Sequence, residues 1–79
     1  MMEKMNQRIV EFHDMEDVAE FVNAAGKSEF DVNVISGNLY VDAKSLLGVM
    51  SMGFARKLRV QYCDDDKMFE RAMQKFCVA

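Results

Sequence analysis

The order of apolar patterns along the 79 residues predicts an α+β fold, βαββαβα, with three helices on one face of a four-stranded, largely antiparallel sheet. Three observations carry this. Apolar residues recur at helical spacing in some segments and at alternate positions in others. The alternating segments each keep one polar side, which suits a sheet covered on one face only. A chain of 79 residues, 51% hydrophobic and 29% charged, holds one small core and no second one, so residues 1–79 are expected to form a single domain.

The elements follow in order. A first strand is expected over 6–11, where the adjacent Ile9 and Val10 leave the inward face undecided. From Met15 to Ala25, the residues Val18, Phe21, Val22 and Ala25 make one helical stripe. Asp14 is placed as N-cap, Glu16 and Asp17 suit the positive end of the helix dipole, and Gly26 is the expected stop. Phe30, Val32 and Val34 alternate with Asp31 and Asn33 as a strand, and Ser36-Gly37 signals a hairpin into a second strand with Leu39 and Val41 inward. Ser45 opens a short helix whose end Gly53 marks. Leu58, Val60 and Tyr62 alternate in the last strand. The aspartates Asp64 to Asp66 can cap a final helix with Met68, Ala72, Met73 and Phe76 as its apolar stripe.

Composition removes several function classes. A net charge of −3 and a pI near 5.0 argue against nucleic acid, whose backbone calls for clustered positive charge. The basic cluster Arg56, Lys57 and Arg59 is expected at solvated strand-edge positions, open to an acidic protein partner. The longest apolar run, Leu46 to Met50, is far too short to span a membrane, and MMEKMNQR carries no secretory signal, so the expected compartment is the cytoplasm. Cys63 and Cys77 have no metal-ligand spacing with each other or with His13; they read as small hydrophobes, one ending a strand and one on the last helix. Neither a metal nor a cofactor is expected.

The block DAKSLLGVMSMG, Asp42 to Gly53, together with AEFV at Ala19 to Val22 and DVNV at Asp31 to Val34, resembles HPr, the small phosphocarrier family of the bacterial sugar phosphotransferase system, especially its Gram-positive form. The likeness runs from about Asp14 to the C-terminus. It implies the open-faced β-sandwich of that family. It also implies that Asp14 stands where the family has its phosphoryl-accepting histidine, Glu16 where it has an arginine, and Asp17 where it has proline. A phosphoryl group there would meet three carboxylates, and two unit charges ~4 Å apart interact by about 4 kcal/mol at an effective dielectric of 20. An acyl phosphate on Asp14 lacks the metal site such chemistry normally uses.

His13 lies one position before the family's histidine, so a displaced acceptor stands beside the plain alternative of an exposed loop histidine. Ser45, with Lys44 before it and Leu46, Leu47, Gly48, Val49 and Met50 after it, matches the family's regulatory segment. There, an HPr kinase phosphorylates the serine and the product binds a transcriptional regulator in carbon catabolite repression. A phosphate at a helix start is favoured by the dipole and the free amides; capping alone is the other reading. Leu46 and Leu47 are adjacent and cannot both face inward, so Leu46, Leu47 and Met50 form a candidate protein-docking patch.

The expectation is thus a degenerate HPr-like protein that regulates or interacts, similar to the catabolite-repression HPr-like proteins that also lack the histidine, rather than an enzyme. Its expected partners are HPr kinase, a transcriptional regulator or phosphotransferase-system proteins. A phosphocarrier using His13 and an unphosphorylated binding scaffold are the alternatives.

Overall fold

Strand β1 spans Met5–Glu11, helix α1 Met15–Gly26, strands β2 and β3 Asn33–Ser36 and Leu39–Asp42, helix α2 Leu46–Met50, strand β4 Lys57–Cys63 and helix α3 Lys67–Met73, followed by a 3₁₀ turn over Gln74–Phe76. This is a computed structural model that describes residues 5–78. Met1 to Lys4, on which part of the no-signal reading rests, lie outside the described residues.

All strand pairs are antiparallel, and the sheet order is β1-β4-β2-β3. The pairings Val10–Leu58 and Val34–Val60 set the inward row. Val10, Val34, Leu58, Val60 and Tyr62 share one buried cluster with Val18, Phe21 and Ala25 of α1, Val49 of α2, and Phe69, Met73 and Phe76 of the C-terminal helical segment. The expected α+β architecture is what forms. The ambiguity in β1 resolves to Val10 inward, with Ile9 half-buried on the opposite face. Phe21 sits at the centre of an aromatic group, with ring centroids 5.0 Å from Phe12, 5.7 Å from Phe69 and 6.2 Å from Phe76. Edge-to-face pairs of this kind add to the area they bury.

Several local expectations are corrected. Gly26 does not stop α1 through a left-handed backbone; it is the last helical residue, and Lys27 and Ser28 close the helix by donating to the carbonyls of Ala24 and Ala25 at 3.2 and 3.0 Å. The ladder of β2 begins at Asn33, not Phe30, although Ala43 N–H donates to Val32 O at 2.9 Å and extends it by one pair. Val41 packs on the core, but Leu39, at the hairpin end, is 54% exposed. The stripe of α3 is Phe69, Met73 and Phe76; Met68 and Ala72 are on its exposed side, because Phe69 packs its ring on Phe21 and Tyr62.

Lys57 and Arg59 are not at an edge, since β4 lies between β1 and β2; they stand on the uncovered face, with Glu11 directly opposite Lys57. Arg56 instead donates to Met52 O at 3.2 Å. Cys63 ends β4, as expected, whereas Cys77 follows the 3₁₀ turn and bridges to Val10 at the outer edge of β1.

Asp66 is nearly fully buried, with paired carboxylate oxygens: one accepts from Phe69 N–H at 3.3 Å, the other from the Ser28 hydroxyl. It thereby ties the end of α1 to the start of α3. Tyr62 donates its phenol hydrogen to Glu70 Oε2 at 2.5 Å. Burial pushes the Tyr62 pKa up, and the Glu70 carboxylate adds to this, while a hydrogen bond from Arg8 acts in the opposite sense.

Candidate functional site

The start of α1 closes on itself. Asp14, in extended backbone, accepts the Asp17 N–H at 3.0 Å, and the Asp17 carboxylate accepts the His13 N–H at 3.0 Å. Asp14 thus caps the helix, while Asp17 reaches back past the cap to the N–H of the residue before it, one position earlier than in a capping box. One of the orphan amides is therefore taken by Asp14, and Glu16 adds an exposed carboxylate to the same turn. Among the described residues, the ion pair at this helix start is that of His13 Nδ1 with Asp17 Oδ2 at 3.5 Å, charged only when the imidazole is protonated. His13 is otherwise free, its side chain 71% exposed.

The start of α2 is organised by Ser45, whose Oγ accepts Gly48 N–H at 3.1 Å while its own N–H donates to Asp42 O at 3.0 Å. The Asp42 carboxylate accepts Lys44 N–H at 2.9 Å, and Lys44 Nζ donates to Ser28 O at 3.1 Å. Gly48 sits in a close fit: a Cβ there would lie 3.2 Å from Ser45 Oγ and 3.4 Å from Val41 Cβ, so the capping hydroxyl would have to give by a few tenths of an ångström. The glycine lets the short helix seat on β3 with its serine cap intact. Val49 takes the buried position, Met50 is half-buried against the core, and Leu46 and Leu47 are 41% and 79% exposed. Both leucines reach the surface, one more than adjacency alone demands.

The two helix starts are linked through loops. Ala55 N–H donates to Phe12 O at 2.7 Å, which fastens the segment after α2 to the turn that carries His13 and Asp14. That segment is backbone-strained, with Gly53 at φ 89° and Ala55 at φ 57°, a region alanine rarely adopts. Between them, Phe54 is exposed, as is Met15 at the first position of α1. Neither was singled out by sequence reasoning. A phenylalanine outside any alternating or helical pattern, directly after a stop glycine, was the available signal for the first; nothing distinguished Met15 from the helix around it.

Among the described residues no group of His, Cys, Asp and Glu side chains is placed to hold a metal ion, and no helix is long and apolar enough to cross a membrane.

Four antiparallel strands covered on one face by helices with capped starts make an open-faced sandwich. The family model described as "PTS HPr component phosphorylation site" matches residues 14–77, and the chain belongs to the HPr family. The crystal structure of HPr-C-His from Thermoanaerobacter tengcongensis is similar at a TM-score of 0.68 and 26% identity, over 91% of this chain and 88% of that one. Phosphocarrier protein HPr from Bacillus anthracis str. Ames shares the fold at a TM-score of 0.71 and 22% identity, over 91% and 96% of the two chains. No curated protein matches the chain.

Proposed function

We propose that this HPr-family chain is a cytoplasmic regulatory or interaction protein of the phosphotransferase system that does not carry phosphoryl groups on histidine. Asp14 occupies the place of the acceptor, Ser45 is the modification point, and Leu46, Leu47 and Met50 form the docking surface. The observation that carries this reading is the contrast between the two helix starts. At α1, Asp14 takes the Asp17 amide and Asp17 takes that of His13, so the helix start is satisfied and crowded with carboxylates. At α2, an exposed N-cap serine stands beside an exposed leucine pair, with no acidic residue in the first turn.

Phosphorylation of Ser45 forms a bond from Oγ to the γ-phosphorus of ATP, releases ADP and passes the hydroxyl proton to a base on the kinase. The added −1.5 to −2 charges (roughly) would sit at the positive end of α2, available to an arginine of a partner.

A second reading is favoured by one observation: His13 is exposed and has a carboxylate, Asp17, close enough to orient its ring. One experiment separates the readings. The protein is incubated with Enzyme I and phosphoenolpyruvate, and separately with HPr kinase and ATP. Acid-stable phosphate that is lost in Ser45→Ala supports the proposal. Acid-labile phosphate that is lost in His13→Ala replaces it with the phosphocarrier reading, and no label in either arm leaves an unmodified binding scaffold.

A further inference from the structure

We propose that the free edge of β3 is a self-association site, at which two copies of this chain pair their β3 strands antiparallel about a two-fold axis centred on Tyr40. The two edges of the sheet are treated differently. The outer edge of β1 is covered, because Val78 N–H donates to Ile9 O at 3.0 Å and Cys77 bridges to Val10. Beyond β3, the described residues place nothing. Open edges are blunted by short strands, charges, proline or a bulge, and of these β3 has its length of 4 residues and the terminal Asp42. The chain has no proline, Leu39–Asp42 contains no lysine, and the β2–β3 register runs without a bulge.

The ladder parity identifies which backbone groups are free. The Ala43–Val32 hydrogen bond, and the two-residue turn that closes on Ser36 and Leu39, make Val34–Val41 a hydrogen-bonded pair and leave Tyr40 with its N–H and C=O directed away from β2. Two copies paired at Tyr40 exchange both bonds between those groups. In that register, Leu39 lies opposite Val41 of the second copy, two apolar side chains on the helix-covered side. Tyr40 lies opposite Tyr40 on the uncovered side, where it is 60% exposed in the single chain. Asp42, the charged residue of the strand, lies opposite Asn38, so like charges do not meet. The strand is therefore complementary to itself in a register that its free backbone groups permit and in which like charges do not meet, which is why a second copy is the fitting occupant.

The test is sedimentation equilibrium of the whole chain from ~10 μM to ~1 mM, the range in which a small interface is half-occupied. The wild-type mass should rise from 9.1 kDa toward twice that value. Tyr40→Pro removes the outward N–H and leaves the β2 ladder intact, since proline is tolerated at an edge; it should stay monomeric throughout. Leu39→Lys keeps the backbone and places a charge on each side of the axis; it should weaken association about tenfold or more, and it decides the matter if circular dichroism shows Tyr40→Pro unfolded. A wild type that stays at 9.1 kDa, or folded variants that associate as it does, would overturn the proposal. So would a dimer abolished by Leu47→Asp and indifferent to both β3 changes.

Discussion

Replacing Asp66 with alanine tests whether a single carboxylate joins the end of α1 to the start of α3. The side chain is 7% exposed, and its two oxygens serve Phe69 N–H and the Ser28 hydroxyl. Loss of the N-cap costs about 1 kcal/mol. The Ser28 hydroxyl loses its acceptor, a penalty of about 1–3 kcal/mol for a buried group. Ser28 is half-buried and has Phe30 O within 3.4 Å as a substitute, which places this second part at the low end. The sum is about 2 kcal/mol, and at roughly 4–8 °C per kcal/mol for a domain of this size the midpoint should fall by about 8–16 °C.

Asp66→Ser isolates the two parts, since its hydroxyl can cap Phe69 but is too short to reach Ser28; it should recover about 1 kcal/mol. Thermal unfolding by circular dichroism, with urea titration as a check that the transition stays two-state, provides the measurement. A loss below about 0.5 kcal/mol for Asp66→Ala, within the range of ordinary surface changes, would refute the reasoning.

Three other outcomes are expected. Ser45→Ala should lower stability by about 1 kcal/mol and Ser45→Asp by much less, because aspartate can still accept Gly48 N–H; equal losses in urea unfolding would show that the cap is not the cause. Leu47→Asp, at a side chain 79% exposed, should leave the unfolding midpoint within about 0.5 kcal/mol of wild type while weakening partner binding in a pull-down; a large stability loss would place Leu47 in the core. The folded pKa of Tyr62 lies above its ordinary 10.0, so its neutral form stabilises the fold fully below pH 10.0, and that contribution is lost as pH rises through the folded value. Cys77, raised above 9.0 by burial, acts with the same sign from a lower pH. Stability measured from pH 8 to 11 (roughly the span of these ordinary values) should therefore fall less steeply in Tyr62→Phe than in wild type, and an unchanged slope would contradict the assignment.

What was legible in the sequence was the part governed by short-range pattern. The α1 stripe, the alternation in β4 and the capping roles of Asp14 and Ser45 follow from spacings of two to four residues, and each forms as expected, while of the three aspartates offered as a cap for α3 the structure uses Asp66. The errors arise where tertiary placement decides. Lys57 and Arg59 looked like edge residues because nothing local reveals that β4 lies inside the sheet. The stripe of α3 was offset because Met68 and Phe69 are both apolar, and only the packing of Phe69 on Phe21 and Tyr62 chooses between them. Gly26 signalled a stop, but the helix end is held by Lys27 and Ser28, with Ser28 anchored on Asp66 far along the chain. Of the candidate site, the serine and its leucines were visible as a motif. The exposed Phe54 beside them precedes Ala55, whose positive φ goes with the Ala55–Phe12 hydrogen bond, a contact between loops that leaves no periodic trace.

The pairing of β1 with β4 also governs the order in which a nascent chain can reach this shape. Glu11 and its partner Lys57 lie 46 positions apart, roughly 2–9 s of synthesis at about 5–20 residues per second. The β2–β3 hairpin joins neighbours and can close within microseconds of emerging. The first strand, by contrast, must wait, with Ile9 and Val10 unshielded, until the chain through Cys63 is available. Loop closure over that separation is the slow, entropically opposed event, so refolding should be limited by docking of β1, and a circular permutant opened before α1, in which β1 follows α3 and the 3₁₀ turn, should fold faster at similar stability.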